Sequence, residues 1–170
     1  MNFDYQIFKL INDLAGKNQY LDWLGIFAAK YLIFLMVIAL ILGLLIKRDR
    51  NYRLAIIKAF ISGTFAYVIN YLIGFIYFRP RPFVLNQVVK LIDKSPLEKS
   101  FPSGHATVAF AMAFSLYFYN KKLGVILLVL ALIVGLGRIY VGVHYPMDIL
   151  GGVLVGFLSA FLIERLVNKK

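Results

Sequence analysis

The chain is 170 residues long; 61% of them are hydrophobic, only 16% are charged, and the mean hydropathy is +0.79. A soluble domain this small has no interior large enough to hide so much apolar surface, and about a quarter of its residues would be charged. Soluble globular, disordered and (with no cysteine) disulfide-stapled classes are thereby excluded. The net charge of +11 comes from 19 Lys/Arg, but these collect where apolar runs end. Such placement predicts headgroup anchors and topology determinants, not a nucleic-acid face.

The first 22 residues do not read as a signal peptide, because Asp4, Lys9, Asp13 and Lys17 interrupt any apolar core. Phe3, Ile7, Leu10, Ile11 and Leu14 recur at helical spacing, which predicts an amphipathic helix in the membrane interface or packed on the bundle. Residues 26–46 form the first full span, about 21 residues or roughly 31 Å of helix, with Lys30 placed to snorkel. A basic loop, Lys47-Arg48-Asp49-Arg50 with Arg53, leads to a second span at 54–78. A long polar connection at 79–101 follows. The third span, 102–120, is joined by the turn Asn120-Lys121-Lys122 to a fourth at 123–141. After 142–146 the fifth runs over 147–167, and the chain ends on Asn168-Lys169-Lys170. The expected architecture is all-α: a polytopic transmembrane bundle of about five spans plus an N-terminal amphipathic interfacial helix, forming one integral membrane domain over 1–170. The basic loop, the 121–122 turn and the C-terminus share one side, which the positive-inside rule makes cytoplasmic.

Three segments carry polar residues that lipid tolerates poorly, and all fall at the outward ends of spans: Arg79-Pro80-Arg81-Pro82, Pro102-Ser103-Gly104-His105, and Arg138 through His144 to Asp148. Pro-Ser-Gly-His opens a helix, where Ser103 is a good N-cap, Gly104 admits a bound group near the backbone, and free N–H groups favour an anion. The prolines stiffen the exit from the second span and fix Arg81, whose guanidinium matches phosphate oxygens at two points. His144 and Asp148 are four apart, so the carboxylate can hold one ring nitrogen and leave the other as a nucleophile. Pro146 suits a first helical turn, and a break near Gly142 lets Arg138 turn inward. Together these residues would hold a tetrahedral oxyanion, attack it and protonate its leaving group. No Asp/Glu/His cluster has metal-ligand spacing, so neither a metal nor any other cofactor is expected and electrophilic assistance falls to arginine and N–H groups.

At these residues the chain resembles the type 2 phosphatidic acid phosphatase superfamily, whose pattern is Lys-x6-Arg-Pro, Pro-Ser-Gly-His and Ser-Arg-x5-His-x3-Asp. The second element is intact at 102–105 and the third reads Gly137-Arg138-x5-His144-x3-Asp148. Arg81-Pro82 meets the first, with Gly74 at the lysine position and Gly137 at that of the serine. The lysine-free Arg-Pro-Arg-Pro-Phe run, the start Met-Asn-Phe-Asp-Tyr-Gln-Ile-Phe, and Gly-Arg-Ile-Tyr-Val-Gly-Val-His-Tyr-Pro-Met-Asp-Ile-Leu-Gly-Gly are similar to the bacitracin-resistance type of undecaprenyl diphosphatase.

The resemblance implies that His144 forms a phosphohistidine, that Asp148 orients it, and that His105 is the general acid. It implies phosphate binding by Arg81 and Arg138, assisted by Ser103 and the Gly104 amide. Arg79 is open to two readings, a phosphate ligand replacing the missing lysine or a headgroup anchor. The implied activity is hydrolysis of a lipid phosphate at the outer face of the cell membrane, foremost undecaprenyl diphosphate to the monophosphate. Lipid A, phosphatidylglycerol phosphate and phosphatidic acid are the alternative substrates. The rival from another class is a non-enzymatic anion transporter or lipid-binding protein. The expected partners are the lipid substrate and membrane lipids, not nucleic acid. Lys90, Lys94 and Lys99 are expected on a solvated loop face, Tyr140 and Tyr145 in an interfacial aromatic belt, Gly151, Gly152 and Gly156 at close helix contacts, and Ser62 and Asn70 in interhelical hydrogen bonds.

Overall fold

The computed structural model describes residues 3–167, which form eight helices: α1 (Phe3–Asn12), α2 (Gln19–Lys30), α3 (Leu32–Ile46), α4 (Arg50–Ile76), α5 (Pro82–Leu85), α6 (Gly104–Tyr119), α7 (Lys121–Tyr140) and α8 (Pro146–Val167). The basic C-terminus at 168–170 lies outside the described residues. α4, α7 and α8 are each long and apolar enough to cross a membrane, and α2 with α3 adds a fourth crossing if that bent pair is one span. The remaining expected span, the third at 102–120, is α6, which has 16 residues, roughly 24 Å at about 1.5 Å per residue. It is the central helix, packed against α4, α7 and α8. Ala106, Ala109, Phe110, Met112, Ala113 and Leu116 of α6 are buried around much of its circumference, so protein rather than lipid surrounds it.

Small residues set how closely the helices approach. A Cβ on Gly156 of α8 would stand 2.8 Å from the Ala111 nitrogen of α6, and one on Gly152 would stand 3.0 Å from the Thr107 nitrogen. Both positions therefore make the backbone-to-backbone contacts expected of glycine in membranes, whereas Gly151 packs under the Phe101 ring.

The first expected span is not a straight rod. Its helix begins earlier, at Gln19, and bends by 51° at Tyr31. In an unbroken helix the Ala29 carbonyl would accept from Ile33; here it accepts 3.1 Å from Nη1 of the buried Arg138. α2 can come this close only because position 137 is glycine, where a Cβ would stand 2.8 Å from both the Ala29 nitrogen and the Ala28 Cβ. The glycine that departs from the family pattern thus makes room for the α2 backbone.

The N-terminal helix also packs by a face its apolar spacing did not indicate. Asp4, Phe8 and Asn12 are its buried residues, while Phe3, Leu10 and Leu14 remain exposed. The Asn12 amide donates to the carbonyls of Val89 and Tyr140 at 2.8 Å each and accepts from the Val89 N–H at 3.1 Å. These bonds fasten α1 across the end of the bundle and tie the long connection down beside it. At Gly142 the chain reverses between α7 and α8 with φ +82, a left-handed turn that admits glycine readily. This is the break expected there.

Gly137→Ser should lower stability by about 1–3 kcal/mol, the usual cost of forcing atoms into a packed contact. Thermal unfolding in detergent measures it, and an unchanged midpoint would show that α2 can move away freely.

Candidate active site

The exit of α4, the start of α6, the end of α7 and the start of α8 meet at one end of the bundle, around a cavity of about 530 Å³. Arg81, Arg138, His105, His144 and Gly104 line it, so five residues from three separate sequence motifs meet at one cavity. Its apolar lining comes from Ile33, Phe34 and Val37 of α3, Tyr67 of α4 and Val108 of α6. Charged and apolar lining in one cavity fits a phosphorylated head with a hydrocarbon tail.

His144 is 2% exposed and lies just before α8, not on its first turn. Its Nδ1 faces Asp148 Oδ2 at 3.5 Å, and its Nε2 faces Arg81 Nη1 at 3.3 Å. A guanidinium can only donate, so Nε2 must be the unprotonated nitrogen and Nδ1–H points to the carboxylate. The Asp148 carboxylate is fully buried and has three further donors: Arg79 Nη1 at 2.7 Å, Ser100 Oγ at 2.5 Å and the Tyr145 N–H at 2.8 Å. Ser100, which carries no motif, is therefore part of the support behind His144.

Arg81 donates from Nη1 to the Val143 carbonyl at 3.0 Å, and its Nη2 meets Glu98 at 3.1 Å. The Nε atoms of Arg81 and Arg138 are buried without a hydrogen-bond partner, as is the Ser103 hydroxyl. Buried donors left unpaired cost about 1–3 kcal/mol each. These two nitrogens are enclosed by protein, although both arginines line the cavity. Ser103 is the N-cap by position, but its side chain makes no capping bond, so it leaves the first amides of α6 unclaimed. It does not line the cavity.

Arg79 serves neither of its expected roles. Its guanidinium bridges Asp148 and Asp4 of α1, at 2.7 and 2.5 Å, and lies 4.1 Å from the centre of the Tyr145 ring. Its partners are committed, and it stands behind the cavity. Tyr145 is correspondingly 5% exposed, not part of an interfacial belt, and its hydroxyl accepts from Asn86 at 3.1 Å. Tyr140 is turned to Asp22 of α2, 2.8 Å away. Lys90 is exposed as expected, but the other two loop lysines depart from a solvated face. Lys94 and Lys99 line the cavity, with Lys94 3.3 Å from Glu98 and Lys99 donating to the carbonyl and side-chain oxygen of Asn70. Asn70 makes the interhelical bonds expected of it, to the Pro102 carbonyl and Thr107 hydroxyl at 3.0 Å each, whereas the buried Ser62 hydroxyl has no partner. Among the described residues no group of three or more His, Cys, Asp or Glu could hold a metal ion.

A PAP2 superfamily model matches residues 55–170, and the chain belongs to that superfamily. It is a multi-pass membrane lipid phosphatase, a hydrolase. An undecaprenyl-diphosphatase BcrC of Bacillus subtilis is 39% identical, over 95% of this chain and 83% of that protein. A Bacillus licheniformis relative bearing the name bacitracin transport permease protein BcrC is 36% identical over 92% of this chain and 76% of its own. The crystal structure of Aquifex aeolicus LpxE superposes with a TM-score of 0.75 at 27% identity, covering 97% of this chain and 96% of the other.

Burial pushes the His144 imidazole down to about 4; Asp148 pulls it back up, while Arg138 and Arg81 add to the lowering. Its folded value therefore lies below the ordinary 6.5, so the ring stays neutral as pH falls through 6.5 and takes a proton only near 4. The unfolded chain binds that proton first, and stability declines over the same window as the solution becomes more acid. Nitrogen NMR of histidine-labelled protein at about pH 5.5 should show His144 neutral with its proton on Nδ1. A doubly protonated ring at that pH would contradict the arrangement.

Proposed function

We propose that this chain hydrolyses a lipid diphosphate, foremost undecaprenyl diphosphate to undecaprenyl phosphate, through a phosphohistidine at His144. The observation that carries the reading is the unprotonated Nε2 of His144 at a cavity lined both by Arg81 and Arg138 and by apolar side chains. The terminal phosphoryl group sits on Arg81 and Arg138, with the Gly104 amide assisting. Nε2 attacks phosphorus, and the bond to the bridging oxygen breaks as electron pairs move onto the departing lipid phosphate. Asp148 stabilises the imidazolium character that develops on His144. His105 gives a proton to the leaving oxygen where that oxygen needs one, then takes a proton from the water that splits the phosphohistidine. The products are inorganic phosphate and the lipid monophosphate. The arginines supply the positive charge that a metal would otherwise bring.

Lys47 and Arg48 in the loop between α3 and α4, Arg50 and Arg53 at the start of α4, and Lys121 and Lys122 at the start of α7 lie at the end opposite the cavity. Charge bias makes that end cytoplasmic and the cavity extracytoplasmic. Arg79, Arg81, Lys94 and Lys99 are engaged at the site, which removes most of the competing charge from the outward side. Transport, suggested by one relative's name, finds less support. Ile56, Met112, Leu116 and Val134 belong to one buried apolar cluster in the bundle, which offers no polar lining for an ion.

Phosphate release from undecaprenyl and farnesyl diphosphates, beside phosphatidic acid, phosphatidylglycerol phosphate and lipid A, tests the reading. Diphosphates should be preferred, and His144→Ala should lower turnover by at least about 10^4-fold. Asp148→Asn should retain the nucleophile and lose roughly 100-fold. Preference for a monoester, or an active His144→Ala protein, would overturn the substrate and the mechanism respectively.

A further inference from the structure

Lys99, like Arg138, lines the cavity and is held only by neutral oxygens. Four cations line the cavity, Arg81, Arg138, Lys94 and Lys99, against one carboxylate, Glu98. Glu98 lies between Arg81 and Lys94, at 3.1 and 3.3 Å. Lys99 has no carboxylate within ion-pair distance among the described residues. Its ammonium is held by the Asn70 carbonyl and by Asn70 Oδ1, the latter at 2.9 Å. Two of its three donors are thus used on neutral oxygens, and one remains for a ligand. Asn70 is itself fixed, since its amide donates to Pro102 and Thr107.

The side chain reaches this place across the α4 backbone at Gly74, where any Cβ would overlap its outer atoms. Gly74 is therefore the passage through which a loop lysine enters the cavity. Tyr67, Asn70 and Gly74 fall at i, i+3 and i+7 on α4, hence on one helical face. Tyr67 is part of the apolar lining, so this α4 face sets Lys99 beside an apolar side chain, while His144 and the two arginines reach the cavity from other segments.

We propose that Lys99 binds the phosphate that remains on the lipid, and that this contact makes the site select diphosphates over monophosphates. The inference rests on the diphosphatase reading above and assigns its second phosphate. A monoester fills the arginine pair alone and leaves the Lys99 ammonium without an anion. A diphosphate places its inner, lipid-linked phosphate between the attacked phosphorus and the tail, on the side where Lys99 is held. The same contact follows charge onto the departing phosphate as the bridging bond breaks, so Lys99 favours the step as well as the binding.

The test uses the full-length protein in detergent, with phosphate release from farnesyl diphosphate as the assay. Two inhibitors probe the two positions: methylenediphosphonate, an uncleavable diphosphate, and orthovanadate, a single-centre mimic. Lys99→Ala should raise the methylenediphosphonate inhibition constant roughly 10- to 100-fold, the range for a lost hydrogen bond to a charged group. The orthovanadate constant should stay nearly unchanged. Gly74→Ala leaves the lysine in the sequence but blocks its passage, so it should raise the same constant. In the Lys99→Ala background it should add nothing, a coupling that only a shared mechanism gives. Equal shifts for both inhibitors, no shift for either, or additive effects of the two substitutions would overturn the assignment. A wild-type protein that releases no phosphate from any diphosphate would instead sink the diphosphatase reading on which it stands.

Discussion

The buried carboxylate of Asp148 is the point on which this end of the molecule depends. It is fully enclosed, and such a charge persists only if donors replace the water it has lost. Those four donors come from three places in the chain: Arg79 beyond α4, Ser100 before α6, and the entrance to α8, which gives the Tyr145 amide and the ring of His144. Arg79 extends the set to Asp4, and through it to α1. The Asp148 carbonyl also accepts from the Ser103 amide at 3.0 Å, which sets the start of α6 against the start of α8. Breaking a buried pair of this kind costs about 3–5 kcal/mol, so the ion pair fixes the relative positions of segments distant in sequence.

The chemistry follows from that anchorage. With Asp148 on Nδ1, His144 can present only Nε2 to the cavity, and Arg81 on the far side keeps Nε2 free of a proton. Burial holds the ring neutral, as a nucleophile must be. The same burial strips hydration from Arg81 and pushes its affinity for protons below the usual guanidinium value, against the pull of Glu98 and Asp148. In the proposed mechanism, guanidinium groups already desolvated would pair with phosphoryl oxygens without first shedding water. Glu98 accepts from Arg81 in this structure, and a phosphate bound there would compete with it.

The motif residues were legible because their meaning lies in short spacing: Pro-Ser-Gly-His starts a helix, and a proline, a histidine and an aspartate within five residues describe a single helix entrance. Their convergence followed from the alternation of spans. Contacts made across the fold were not legible. Arg79 beside Arg81 reads as a second phosphate ligand until Asp4, 75 residues away, is found against it. Lys99 reads as one more solvated lysine because nothing local marks Gly74 as its passage. The first span reads as continuous because the bend comes from a guanidinium on another helix. Gly137 reads as a lost hydroxyl although its absent side chain is what admits α2. α1 shows the same limit, since its buried face pairs Phe8 with two polar residues and periodicity discounts those.

The central claim, that Nε2 of His144 is the atom aimed at phosphorus with Asp148 behind it, is tested most directly by a structure of the protein with orthovanadate bound. The account predicts a trigonal-bipyramidal vanadate bonded to His144 Nε2, its equatorial oxygens on Arg81 and Arg138, and Glu98 withdrawn from Arg81. Vanadate bonded instead to His105, or held between the arginines with His144 turned away, would contradict it.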